Sequence, residues 1–92
     1  MNMNIKKTVI TGIIIFLSMS CSKKDVEYYY LKGYEYYKQE KYELAIEYYT
    51  KAINIDDKNA IVYFARAMAY DKLNAIEQAI ADYTSVITIC SK

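Results

Sequence analysis

Polar and apolar positions along most of this chain alternate with the spacing of helices. Tyr29, Gly33 and Tyr36 stand at i, i+4 and i+7, which places them on one helical face. A second face follows in Tyr42, Ala45, Ile46, Tyr49, Ala52 and Ile53. The same two faces then recur, first as Tyr63, Ala67 and Tyr70, then as Ile76, Ala79, Ile80, Tyr83, Val86 and Ile87. The small residue in the middle of each first face, Gly33 or Ala67, predicts close approach of the second helix. Gln39-Glu40-Lys41 and Leu73-Asn74-Ala75 fall between the faces and are predicted turns. Asn74 suits the left-handed residue that ends a helix, and Glu40 suits it less well. Asp56-Asp57-Lys58-Asn59 has turn and N-cap character.

A shift of 34 residues lays Val26–Ile55 on Ala60–Ile89 without a gap. Ten positions are then identical: Tyr29/Tyr63, Tyr36/Tyr70, Lys38/Lys72, Glu43/Glu77, Ala45/Ala79, Ile46/Ile80, Tyr49/Tyr83, Thr50/Thr84, Ile53/Ile87 and Ile55/Ile89. Tyr30/Phe64, Lys32/Arg66, Gly33/Ala67 and Tyr42/Ile76 keep their character. Self-similarity at a fixed period is the signature of stacked repeats. The expected fold is all-α, with two tandem helix–turn–helix hairpins at 26–59 and 60–92.

On these residues the chain resembles tetratricopeptide repeats, a family with a 34-residue unit. Tyr29, Gly33, Tyr36, Ala45, Tyr49 and Ala52 fill the family's places in the first copy, and Tyr63, Ala67, Tyr70, Ala79 and Tyr83 do so in the second. Val86 replaces the last Ala, Lys32 and Arg66 stand at the usual Leu, and Asp57 stands where Pro is common. The resemblance implies a short right-handed α-solenoid whose first helices line a concave groove for a partner's peptide or helix. Carried over, the groove positions are Glu27, Tyr30, Tyr34, Tyr37 and Lys38, then Ile61, Phe64, Ala65, Met68, Asp71 and Lys72. The expected partner-binding residues are Tyr30, Tyr34, Tyr37, Lys38, Phe64, Met68 and Lys72. The chaperone-tail-binding branch of the family clamps a C-terminal carboxylate with Lys and Asn, where this chain has Tyr30, Tyr34 and Ala65. No carboxylate clamp is therefore expected. The same side chains could instead serve only to pack one repeat on the next.

The first twenty residues read as an export signal. Lys6 and Lys7 precede an apolar run, Val9–Leu17, and Ser18-Met19-Ser20 leads into Cys21. The run is well short of the ~20 residues that span a bilayer, which favours a cleaved signal over an uncleaved membrane helix. Leu17-Ser18-Met19-Ser20-Cys21 resembles a bacterial lipobox, with Leu one place further from the Cys than usual. The resemblance implies that Cys21 takes a diacylglyceryl thioether and becomes the first residue, with 21–25 as a flexible linker. Several acyl chains anchor stably where one does not. Ser22 after the Cys implies the outer membrane by the enteric sorting pattern. Were Cys21 merely incidental in a secreted protein, it could pair with Cys90. Cys90 otherwise reads as a small buried hydrophobe near a helix end.

Composition narrows the function. The chain has 92 residues, no His, Trp or Pro, twelve Tyr and a formal net charge of +1. A charge so near zero gives nucleic acid no hold. Without His the commonest general base is missing, no phosphate-binding Gly loop is present, and two Cys make no zinc site. No catalysis, metal or cofactor is expected. The expected function is a membrane-anchored protein–protein interaction module of the bacterial cell envelope. Its partner would be another protein or a second copy of the chain. The alternative is the N-terminal fragment of a larger lipoprotein with no independent activity. Two units without a cap would leave Ile80, Tyr83 and Ile87 partly bare.

Overall fold

The computed structural model describes residues 24–91, which are four helices joined by short turns. The signal and lipidation readings, including Cys21, lie outside these residues. Helix α1 covers 24–38, α2 Tyr42–Ile55, α3 Ala60–Lys72 and α4 Ile76–Cys90. Among the described residues there is no strand, and no helix is long and apolar enough to cross a membrane. The architecture is the helical solenoid of tandem hairpins that the 34-residue repeat predicts.

Each hairpin turns by the same device. Glu40 and Asn74, equivalent under the 34-residue shift, have φ of 60° and 61°. Lys41 N–H donates to the Tyr36 carbonyl and Glu40 N–H to the Tyr37 carbonyl; Ala75 to Tyr70 and Asn74 to Asp71 repeat this in the second unit. This is a Schellman ending, in which a left-handed residue lets the helix satisfy its last carbonyls. Glu40 takes the left-handed conformation despite its side chain, because the ladder around it leaves no other path. Glu40→Gly should therefore stabilise the fold by about 0.5–1 kcal/mol, read as a raised thermal midpoint. Between the hairpins, Asp56 Oδ1 accepts from Lys58 N–H at 3.1 Å and Asn59 Oδ1 from Ile61 N–H at 3.1 Å. The first closes the turn and the second caps α3.

The helices of the first hairpin run antiparallel, since Tyr37 meets Tyr42 at one end while Tyr30 meets Tyr49 towards the other, with ring centroids 5.3 and 5.9 Å apart. Gly33 makes the close approach possible. A Cβ built on it would stand 2.7 Å from Cδ1 and Cε1 of Tyr49 and 3.1 Å from the Ala45 carbonyl oxygen. The buried cluster joins Val26, Ala45, Tyr49, Ala52, Ile53, Val62 and Ala69. Helix α2 lies in the middle of it, covered by α1 and α3, and buries Ala45, Tyr49, Ala52 and Ile53. Helix α4 packs along α3 and buries only Ala79 and Asp82. Ile80 and Ile87 are 58% and 68% exposed, whereas Ile53, the equivalent of Ile87, is 7% exposed. Cys90 corrects the reading from sequence: it is exposed, since its equivalent in the first unit is the solvent-facing capping residue Asp56.

One slot between the two helices of each hairpin is filled in two ways. In the first, the Tyr48 ring lies 6.2 Å from Tyr29 and 5.4 Å from Tyr36. In the second, Asp82 stands at the place of Tyr48, and the Arg66 guanidinium lies 5.7 Å from Tyr63 and 5.8 Å from Tyr70. Arg66 Nε and Nη2 donate to the two oxygens of Asp82 at 2.7 and 2.8 Å, and Nη1 donates to Thr50 Oγ1 at 3.0 Å. The Asp82 hydrogen bond raises the guanidinium's pKa further above its already high value. This one side chain ties α2, α3 and α4 together.

Candidate protein-binding groove

The first helix of each hairpin presents its other face to a shared cleft. Tyr30, Tyr34 and Tyr37 of α1 face Ile61, Phe64, Ala65 and Met68 of α3 across a cleft of about 200 Å³, with Tyr49 of α2 as its floor. The helical spacing accounts for the arrangement: 30, 34 and 37 fall on one stripe, as do 61, 64, 65 and 68. The lining is aromatic and aliphatic apart from phenol hydroxyls. Tyr30 and Tyr34 stack in parallel with centroids 6.5 Å apart. Phe64 meets Tyr83 edge-on at 5.6 Å, the shifted counterpart of the Tyr30–Tyr49 pair. Tyr34 and Phe64 remain exposed enough to touch a partner.

Five of the seven residues expected from sequence, Tyr30, Tyr34, Tyr37, Phe64 and Met68, are brought together on this cleft. The two lysines are not among its lining. Lys38 bonds Glu35 at 3.0 Å and sits 5.1 Å over the Tyr34 ring, at the groove's margin. Lys72 is exposed in the last turn of α3. Tyr49 is the lining residue that sequence reasoning assigned to the core alone. It belongs to both places, since its ring is long enough to fill the gap at Gly33 and still reach the cleft floor. Burial, and then the neighbouring phenols of Tyr30, Tyr37 and Tyr34, push its hydroxyl pKa up, so it stays protonated throughout the physiological range.

The shape decides what the cleft can hold. It is smaller than the ~300–1,000 Å³ of pockets that enclose a small molecule. An open, shallow, aromatic trough instead fits a few side chains of an extended or helical peptide. No cation stands in its lining to bind a carboxylate. Among the described residues no group of three or more His, Cys, Asp or Glu is placed to hold a metal ion.

Comparison with known proteins agrees with this geometry. The family described as TPR repeat matches residues 33–74, and tetratricopeptide repeat matches 60–92. The DnaJ homolog subfamily C member 7 homolog of Dictyostelium discoideum is 40% identical over 62 residues, covering 63% of this chain and 12% of that protein. Stress-induced-phosphoprotein 1 of Caenorhabditis elegans is 38% identical over 61 residues, covering 66% of this chain and 19% of that protein. The chain thus spans less than a fifth of the length of either relative. Among solved structures, the first TPR of Spaghetti bound to the HSP90 peptide SRMEEVD superposes with a TM-score of 0.70 at 32% identity, covering 72% of this chain and 52% of that one. The two family matches together run from 33 to 92, and over these residues the chain is built of tetratricopeptide repeats.

Proposed function

We propose that this protein is a lipid-anchored interaction module of the bacterial envelope whose groove takes an apolar or aromatic segment of another protein. The observation that carries the binding reading is the cleft between α1 and α3, lined by Tyr30, Tyr34, Tyr37, Phe64 and Met68. Tyr gives large contact area with little entropy to lose, and Met adapts to uneven partners. The structural neighbour is bound to an acidic peptide, SRMEEVD. In this chain the cleft offers that peptide phenols and aliphatic carbon, and the nearby Lys38 is engaged by Glu35. An acidic tail therefore gains nothing here. No catalytic role is proposed.

A photoreactive residue placed at Tyr34 or Met68 in intact cells should give a discrete adduct with another protein, and Phe64→Ala should weaken binding of that partner about tenfold, a loss of ~1.4 kcal/mol. SRMEEVD should not compete. Efficient competition by this peptide would overturn the reading of the groove as clamp-less.

The anchoring half of the proposal rests on the run Val9–Leu17 followed by Cys21. It places the module on the outer membrane, held through acyl chains on Cys21. Globomycin, which blocks lipoprotein signal cleavage, should accumulate the uncleaved precursor. Processing that continues unchanged under the drug would exclude lipidation and leave the groove reading intact.

A further inference from the structure

The internal junction between the two repeats has both of its halves repeated as exposed faces, one on α1 and one on α4. Within the chain, α3 docks on α2 through Val62 and Ala69, which join Ala52 and Ile53 in the buried cluster, and through the bond from Arg66 to Thr50. The 34-residue shift carries the α2 side of that junction, Ile46, Thr50 and Ile53, onto Ile80, Thr84 and Ile87 of α4. It carries the α3 side, Val62, Ala65 and Arg66, back onto Tyr28, Leu31 and Lys32 of α1. Ile80, Ile87, Tyr28 and Leu31 are each at least half exposed. The α4 face is thus the twin of a helix-docking surface, and the α1 face is the twin of the helix that docks there.

We propose that copies of this chain associate head to tail, the α4 face of one copy receiving the α1 face of the next in the register of the internal α2–α3 junction. Leu31 then lies over the Ile80–Ile87 ridge, and Lys32 reaches Thr84 as Arg66 reaches Thr50. Glu35 stands where the internal junction has Ala69, so the pairing between copies is looser than the internal one and depends on concentration. The contact joins two different faces, which makes it heterologous, and successive copies extend in one direction. The first helices of neighbouring copies then line one continuous trough.

The test uses the full chain, carrying two different C-terminal tags, co-produced in one cell. The copies should be recovered together. Ile80→Glu on both copies should lower co-recovery about tenfold or more, as each 1.4 kcal/mol lost is tenfold in affinity, and Leu31→Glu on both should do the same. Ile80→Glu on one copy with Leu31→Glu on the other should restore it, because one intact head still meets one intact tail. That rescue also shows that both variants fold. If Leu31→Glu leaves co-recovery unchanged and the mixed pair fails, α4 pairs with α4 and the proposal is wrong. It is equally wrong if unsubstituted copies are never recovered together.

Discussion

Arg66→Ala should destabilise the fold by about 3–5 kcal/mol, the cost of stranding one partner of a buried ion pair. Asp82 is 4% exposed and receives both of its strong hydrogen bonds from this guanidinium. Without it the buried carboxylate loses its counter-charge. The same substitution frees Thr50 and so loosens α3 from α2. Small domains hold together by only about 5–15 kcal/mol, so much of the cooperative unfolding transition should be lost. The first hairpin suggests its own repair. There the slot holds the Tyr48 ring, and Lys32 is exposed. Arg66→Lys combined with Asp82→Tyr copies that solution into the second hairpin, and should cost much less than the sum of the two single changes. Denaturant midpoints of the four proteins give the coupling directly; strict additivity would mean that the pair contributes nothing as a pair.

Gly33→Ala should cost about 1–3 kcal/mol, even though alanine is the better helix former by ~1 kcal/mol. The added methyl would lie 2.7 Å from two ring carbons of Tyr49 and 3.1 Å from a backbone oxygen. The ring cannot swing aside, since Tyr49 is 1% exposed and is wedged among the residues of the core. The strain therefore moves α1 away from α2. Because Tyr49 is also the floor of the groove, the same variant should weaken partner binding in parallel with its fall in thermal midpoint. A Gly33→Ala protein as stable as the parent would show that the two helices are not held at this distance.

Much of this was legible in the sequence because repetition checks itself. The pattern Tyr29, Gly33, Tyr36 and its copy Tyr63, Ala67, Tyr70 identify the packed face twice over. The family resemblance then assigns Tyr30, Tyr34 and Phe64 to the groove, and their helical spacing is consistent with one shared face. The ion pair was not legible in this way. Charge alone argues for exposure of Asp82 and Arg66, and it is their mutual contact that makes burial tolerable. A signal was present: Tyr48 gives way to Asp82 in the same repeat where Lys32 is exchanged for Arg66, whose forked guanidinium suits a carboxylate. Cys90 was misread because an apolar side chain was taken to imply burial, whereas its place at the end of α4 matches the exposed capping residue Asp56. Glu40 was an unattractive left-handed residue on propensity, and the hydrogen bonds of the turn override that preference.

The tyrosine floor and walls of the groove have an optical consequence. The chain contains twelve Tyr and no Trp, so its intrinsic ultraviolet emission comes from phenols alone. Tyr30, Tyr34, Tyr37 and Tyr49 all line the cleft. A tryptophan carried by an incoming peptide would sit within energy-transfer range of this cluster and quench it while brightening itself. Occupancy of the groove can thus be followed by light, with no label on the protein.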